Sequence, residues 1–158
     1  MSTKTNACRI LDALHIPYTL HEYEWDEDQL DAATVAEKVG IPVHQLFKTL
    51  VLRGDKTGIL AACIPGDQEL NLKSLAAVSG NKKVEMVAVK DIQTLTGYIR
   101  GGVSPLGMKK KYSFFLDSSV TRLDPVSISA GRRGLQIFVK GTDLAAASEA
   151  LLVEITGK

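Results

Sequence analysis

Apolar residues recur along this chain in short blocks, some with helical spacing and some alternating. Ala7, Ile10, Leu11 and Leu14 fall on one stripe and predict a helix over residues 5–14, ended at Ile16-Pro17. Residues 18–24 alternate and are rich in β-formers. They predict a strand with Tyr18, Leu20, Glu22 and Glu24 on one face and Thr19, His21 and Tyr23 on the other. An acidic loop, 26–31, leads to a helix over 32–39 stopped by Gly40 and Pro42, then one helical turn within 42–46. Residues 46–52 read as the central strand, and 58–64 return beside it as a largely buried hairpin partner. A helix over 71–78 closed by Gly80, a short strand over 84–89 and a helical turn over 90–95 closed by Gly97 follow. Further on come a strand over 112–117 and a hairpin, 126–129 with 135–139, joined through Gly131-Arg132-Arg133-Gly134. A last helix spans 143–151, with Thr142 as its cap and Asp143 in its first turn. Short strands interleaved with short helices place the chain in the α/β class. The expectation is a single mixed α/β domain over 1–158, built around a strongly curved, barrel-like mixed sheet.

Two stretches break the pattern. In the central strand Lys48 shares a face with Leu46, Leu50 and Leu52, so one ammonium projects from an otherwise apolar face. A charge among apolar neighbours is unfavourable unless it is paired or reaches water. Lys48 therefore either faces a polar cavity and works there, or sits at the strand mouth with its head in solvent. The second stretch, 97–107, holds four glycines and Pro105 in eleven residues. It is either a shaped binding loop, whose backbone approaches a ligand closely around Gly101, Gly102 and Ser104, or two tight turns joined by a link.

Composition narrows the function classes. Hydrophobic residues make up 45% and charged residues 23% of the 158, ordinary for a soluble domain. No apolar run approaches the ~20 residues needed to span a bilayer. The N-terminus lacks the apolar core of a signal peptide, so the expected location is the cytoplasm. Cys8 and Cys63 form no CxxC pair, and His15, His21 and His44 are scattered, so no metal is expected. No GxGxxG, Walker-type or GxSxG motif occurs, and no cofactor is expected. The net charge of +1 hides an asymmetry. Residues 1–31 carry two basic and seven acidic side chains, a net of −5; residues 81–140 carry eleven and four, a net of +7. The basic half, with Lys82, Lys83, Arg100, Lys109, Lys110, Lys111, Arg132 and Arg133, suits a phosphodiester partner, or is a solvated surface. Together with Ser127, Ser129 and Gly131, these features fit a pocket that grips a carbonyl with N–H groups while basic residues outside hold the chain.

The blocks Phe47-Lys48-Thr49-Leu50, Gly97-Tyr98 with Gly101-Gly102-Val103-Ser104-Pro105-Leu106-Gly107, and Ser129-Ala130-Gly131-Arg132-Arg133-Gly134-Leu135, in this order and spacing, resemble the YbaK family. These are freestanding aminoacyl-tRNA deacylases related to the editing domain of bacterial prolyl-tRNA synthetases. The resemblance runs over nearly the whole chain. It implies a mixed α/β fold and clearance of mischarged tRNA, with Cys-tRNA(Pro), and Cys-tRNA(Cys) besides, as substrate and the 3′ aminoacyl-adenosine as the part bound. It implies no DNA or membrane partner, and prolyl-tRNA synthetase as a candidate one. Lys48 matches the family's essential pocket lysine, flanked by Phe47 and Thr49. Gly101 opens the family's GxxxP loop, ending at Pro105. Ser129 matches a pocket serine and Tyr23 a pocket tyrosine. Gln136 stands where relatives carry Asp and cannot act as a carboxylate base. The resemblance further implies that the substrate's own thiol attacks the ester in Cys-specific members. Another mischarged tRNA such as Ala-tRNA(Pro), which would need an activated water, and a non-catalytic tRNA- or synthetase-binding module are the alternatives.

Overall fold

Three strands, β1 (Tyr18–Glu22), β6 (Val126–Ser129) and β7 (Leu135–Val139), form an antiparallel sheet in the order β1-β7-β6. Five others, β2 (Phe47–Gly54), β3 (Gly58–Pro65), β4 (Val84–Met86), β5 (Ser113–Asp117) and β8 (Leu151–Val153), form a mixed sheet in the order β4-β2-β3-β5-β8. β4, β2 and β3 run antiparallel, while β3, β5 and β8 run parallel. The computed structural model describes residues 4–157; Met1, Ser2 and Thr3, part of the segment read for a signal peptide, and Lys158 lie outside the described residues.

The single curled, barrel-like sheet expected from the sequence is not found. The strands divide into two open sheets whose edges meet at one isolated parallel bridge, Leu46 to Ser127. The division has a local cause. β4 is short and pairs only with residues 52–54 of β2, so the first half of β2 keeps a free edge toward β6.

Helices cover these sheets. α1 (Asn6–Ala13) begins where the Thr5 hydroxyl accepts from the Cys8 N–H, and α2 (Ala32–Val39) where Asp31 accepts from the Thr34 N–H. α3 (Leu72–Ser79) is capped by Asn71, and α4 (Val89–Thr96) ends at Gly97. Two 3₁₀ turns, Val43–Gln45 and Ser118–Arg122, introduce β2 and follow β5. The last helix departs from expectation. α5 (Gly141–Ser148) starts two residues early, with Lys140 at its cap and no capping side chain, so Thr142 does not cap it. It stops at Glu149 in a left-handed turn, so Leu151, expected as its last residue, instead opens β8 (151–153), which pairs with β5.

The core lies in layers. Phe47, Ala61, Cys63, Phe114 and Leu116 of the larger sheet pack with Val126, Ile128, Leu135, Ile137 and Val139 of the smaller one, closed by Ala7, Cys8 and Leu11 of α1. On the far face of the larger sheet, Leu52, Leu60, Ala62, Ile64 and Phe115 pack against Leu75 and Ala76 of α3. A third cluster joins Val35 and Ala36 of α2 to Ile41 and Leu46, with Tyr23 and Phe138 against it. Because side chains alternate, this third cluster sets α2 on the outer face of the smaller sheet, which also carries Thr19, His21, Gln136, Ser127 and Ser129. Both cysteines are buried and free, and burial pushes the Cys63 thiol up to about 12. Among the described residues no helix is long and apolar enough to cross a membrane.

Candidate functional site

Lys48 lies where the two sheets touch. Leu46 and Ser127 form the parallel bridge, and two residues further along each chain stand Lys48 and Ser129 on the matching faces. Lys48 is half-buried, with its ammonium 3.4 Å from the Gly66 carbonyl, a long hydrogen bond. Among the described residues no carboxylate comes within ion-pair distance of it. An ammonium has three donors, so two of them have no partner among the described residues. A partly desolvated cation without a counter-ion is suited to a ligand that brings carbonyl or phosphate oxygens.

The segment before α2 ties this lysine to the glycine loop. A side chain on Gly66 would meet the Ala32 Cβ at 2.7 Å, and one on Gly101 would meet the Leu30 Cδ atoms at 3.1 Å. Residues 30–32 therefore touch both the Lys48 side and the loop. Gly101 has φ +86°, a conformation favouring glycine, and a Cβ on Gly102 would lie 3.0 Å from the Arg132 backbone. Loop 97–107 thus packs directly on the β6–β7 turn, and the Arg133 Nε donates to the Arg100 carbonyl at 2.8 Å. Inside the loop Tyr98 is buried and donates its hydroxyl to the Leu106 carbonyl at 2.7 Å; burial raises its pKa to about 12. The loop is a shaped element locked from within, not a link between turns.

The polar side chains of the smaller sheet's outer face are nearly all satisfied. The buried Ser127 hydroxyl donates to the Gln136 carbonyl oxygen at 2.7 Å. Ser129, 9% exposed, accepts from the Gly131 N–H at 3.1 Å, and its own hydrogen has no acceptor among the described residues. His21 stacks on Phe138 at 3.7 Å and shares a 2.8 Å hydrogen bond with Thr19; burial lowers its pKa. Among the described residues no carboxylate hydrogen-bonds to this group.

The sequence-derived residues therefore fall into distinct places. Lys48, Gly101, Gly102, Ser129 and Gly131 converge on the sheet junction and the loop beside it, and Tyr23 packs against the α2 cluster above it. Phe47 is buried in the inter-sheet core and Thr49 bonds Cys63 on that same face, so neither shares the Lys48 face. Ser104 is fully buried and its oxygen accepts from Leu106, shaping the loop. Pro105 lines a different concavity, of about 230 Å³, behind the loop with Lys110, Lys111, Tyr112 and Glu149. A larger one, about 580 Å³, opens beside Pro65 and Asp67 with His44, Arg122 and Glu154. Lys48 lines neither. Among the basic residues, Arg100, Arg132 and Arg133 border the loop and turn. Lys109 donates to the Thr94 carbonyl and Lys111 pairs with Glu149. Lys82 and Lys83 stand beside Asp55 at the opposite end of β2. At about 3.3 Å per residue that is ~20 Å from Lys48. Leu30, Ala32 and Gly66 were not anticipated, because Pro65-Gly66-Asp67 reads only as a strand breaker, residues 26–31 only as an acidic loop and Ala32 only as the start of a helix. No cluster of three or more metal-ligating side chains occurs among the described residues.

The structure is an open two-sheet α/β domain in which a lysine without a carboxylate partner stands at the sheet junction and a glycine loop packs on the β6–β7 turn. The family model of the aminoacyl-tRNA editing domain matches residues 26–147, and the chain belongs to that family. A protein of Enterococcus faecalis, "Putative Cys-tRNA(Pro)/Cys-tRNA(Cys) deacylase EbsC", is 47% identical over 98% of this chain and 94% of its own length. A proline–tRNA ligase of Thermosipho africanus is 34% identical over 48% of this chain and 13% of the ligase. The solved structure of "a putative trans-editing enzyme for prolyl tRNA synthetase" superposes with a TM-score of 0.82 at 23% identity, covering 99% of this chain and 100% of the other, which shows the shared fold.

Proposed function

We propose that this chain is a trans-editing deacylase that clears Cys-tRNA(Pro) and Cys-tRNA(Cys) by cleaving the ester at the tRNA 3′ end. The substrate named for the Enterococcus relative, at 47% identity over nearly the full length, supports this choice. The observation that carries the site assignment is the half-buried Lys48 ammonium without a carboxylate partner, joined through residues 30–32 to the Gly101 loop. In this reading the whole of residues 1–158 is one editing domain working in the cytoplasm, and prolyl-tRNA synthetase is a candidate partner.

Lys48 holds an oxygen of the terminal nucleotide and orients the ester. Backbone amides of residues 101–105 and the Ser129 hydroxyl bind the aminoacyl end, with Gly131 giving room and Tyr23 walling one side. Phe47 and Thr49 set the Lys48 strand from behind. Gln136, which accepts from Ser127, cannot act as a carboxylate base. The substrate supplies the nucleophile instead. The cysteinyl sulfur bonds to the ester carbonyl carbon, the bond to the ribose oxygen breaks, and the thiol proton leaves with that oxygen.

Incubation with Cys-, Ala- and Ser-tRNA(Pro) tests the reading. Release from the cysteinyl substrate, abolished when its thiol is alkylated, is the expected result. Equal release from the alkylated ester would assign the reaction to an activated water, and release from Ala-tRNA(Pro) alone would move the substrate.

A further inference from the structure

The protein has one tryptophan, and it stands in the open. Trp25 is 47% exposed in an acidic loop, where nothing in the core requires an indole. Its placement is nevertheless specified from three directions. The Arg133 guanidinium lies over the ring, 5.2 Å from the centroid. Arg133 is itself held by the Arg100 carbonyl, and a Cβ on Gly101 would come within 3.3 Å of its Nε. Gly134, at φ +88°, lets the indole edge approach: a Cβ there would meet the Trp25 Cδ1 at 2.8 Å. The chain on either side of this contact is fixed by the Tyr23 N–H donating to the Gly134 carbonyl at 3.0 Å. An exposed aromatic, backed by a cation and fastened to the loop of the candidate site, is the arrangement that receives a nucleobase. Every base has a π-face, and arginine beside the ring attracts the phosphate that follows. The Arg132 guanidinium, 3.7 Å from the Glu22 carboxylate, extends the basic border on the same turn.

We infer that Trp25, backed by Arg133, is a stacking platform for a nucleobase of the single-stranded 3′ end of the tRNA. This rests on the deacylase reading and assigns it a second binding group outside the Lys48 site. The platform fixes the register in which the RNA end enters, so it acts on binding and leaves the bond-breaking step alone.

Because Trp25 is the sole tryptophan, its fluorescence reports on the platform directly. Uncharged tRNA and a short single-stranded oligonucleotide ending in CCA are expected to quench it saturably; a blunt RNA duplex without the overhang is not. Trp25→Ala is expected to raise KM for Cys-tRNA(Pro) about tenfold with kcat nearly unchanged, and Trp25→Phe to recover most of that loss. Cleavage by the wild type with fluorescence unmoved at saturating tRNA would overturn the inference, as would an unchanged KM in Trp25→Ala. Saturable quenching without cleavage of any charged tRNA would uphold the platform and instead overturn the deacylase reading.

Discussion

The Lys48 ammonium and the Gly66 carbonyl oxygen lie 3.4 Å apart, and this long contact is the only side-chain hydrogen bond of that lysine among the described residues. Gly66 in turn donates its N–H to the Leu46 carbonyl at 2.7 Å, so the contact closes the mouth of β2 onto the end of β3. The lysine is thus steered by backbone and left without a neutralising charge. Holding a partly buried cation this way is unfavourable for stability.

Substitutions in the glycine loop should separate shape from chemistry. Gly102→Ala brings a methyl to 3.0 Å from the Arg132 and Arg133 backbone, and Gly101→Ala adds strain at φ +86°. Each is expected to lower stability by about 1–2 kcal/mol and to raise KM for the charged tRNA. Urea denaturation alongside steady-state kinetics checks this; unchanged kinetics in both variants would remove the loop from the site.

His21 makes stability depend on pH. Burial lowers its pKa below the ordinary 6.5, so the unfolded chain binds the proton more readily than the folded one. Its contribution is complete above pH 6.5 and is lost as pH falls through the lower, folded value. The urea midpoint is expected to drop between pH 7.5 and 5.5, and His21→Gln should flatten that drop.

Much of the secondary structure was legible because its punctuation is local. Thr5, Asp31 and Asn71 cap helices as their side chains allow, and Gly40, Gly80 and Gly97 end them. Lys48 stood out as a charge on an apolar strand, and the glycine loop as a cluster of punctuators. The division into two sheets was not legible, since it depends on how few residues of β2 are covered by β4. Leu151 reads wrongly as the end of the last helix because an apolar residue after an alanine-rich segment satisfies either period; its pairing with β5 is decided by residues more than thirty positions away. Trp25 carried no motif, and only the structure links it to Gly134.

The basic residues do not form one surface, and neutralising them should show it. Lys109, Lys110 and Lys111 changed together to Gln are expected to weaken tRNA binding and to lower the slope of log K against log salt by about 1 for each phosphate no longer neutralised. Lys82 and Lys83, beside Asp55 at the far end of β2, are expected to contribute little. Filter binding over a salt series distinguishes the sets; equal slopes in the wild type and the triple variant would make residues 109–111 solvated surface.

Gly141 offers a test of the packing at the start of α5. A Cβ there would lie 1.9 Å from the Val120 carbonyl oxygen, and the Gly141 N–H donates to the Leu123 carbonyl at 3.0 Å. Gly141→Ala is expected to cost about 3 kcal/mol, read as a large fall in the urea midpoint. A wild-type midpoint would contradict this packing.

The central claim is that one unpaired ammonium operates the editing site. Deacylation of Cys-tRNA(Pro) by Lys48→Ala, measured beside its urea midpoint, tests it most directly. The account predicts a rate reduced at least ~100-fold with a midpoint equal to or above that of the wild type, because the variant loses a cation that no carboxylate balances. A wild-type rate in a folded Lys48→Ala protein would contradict it.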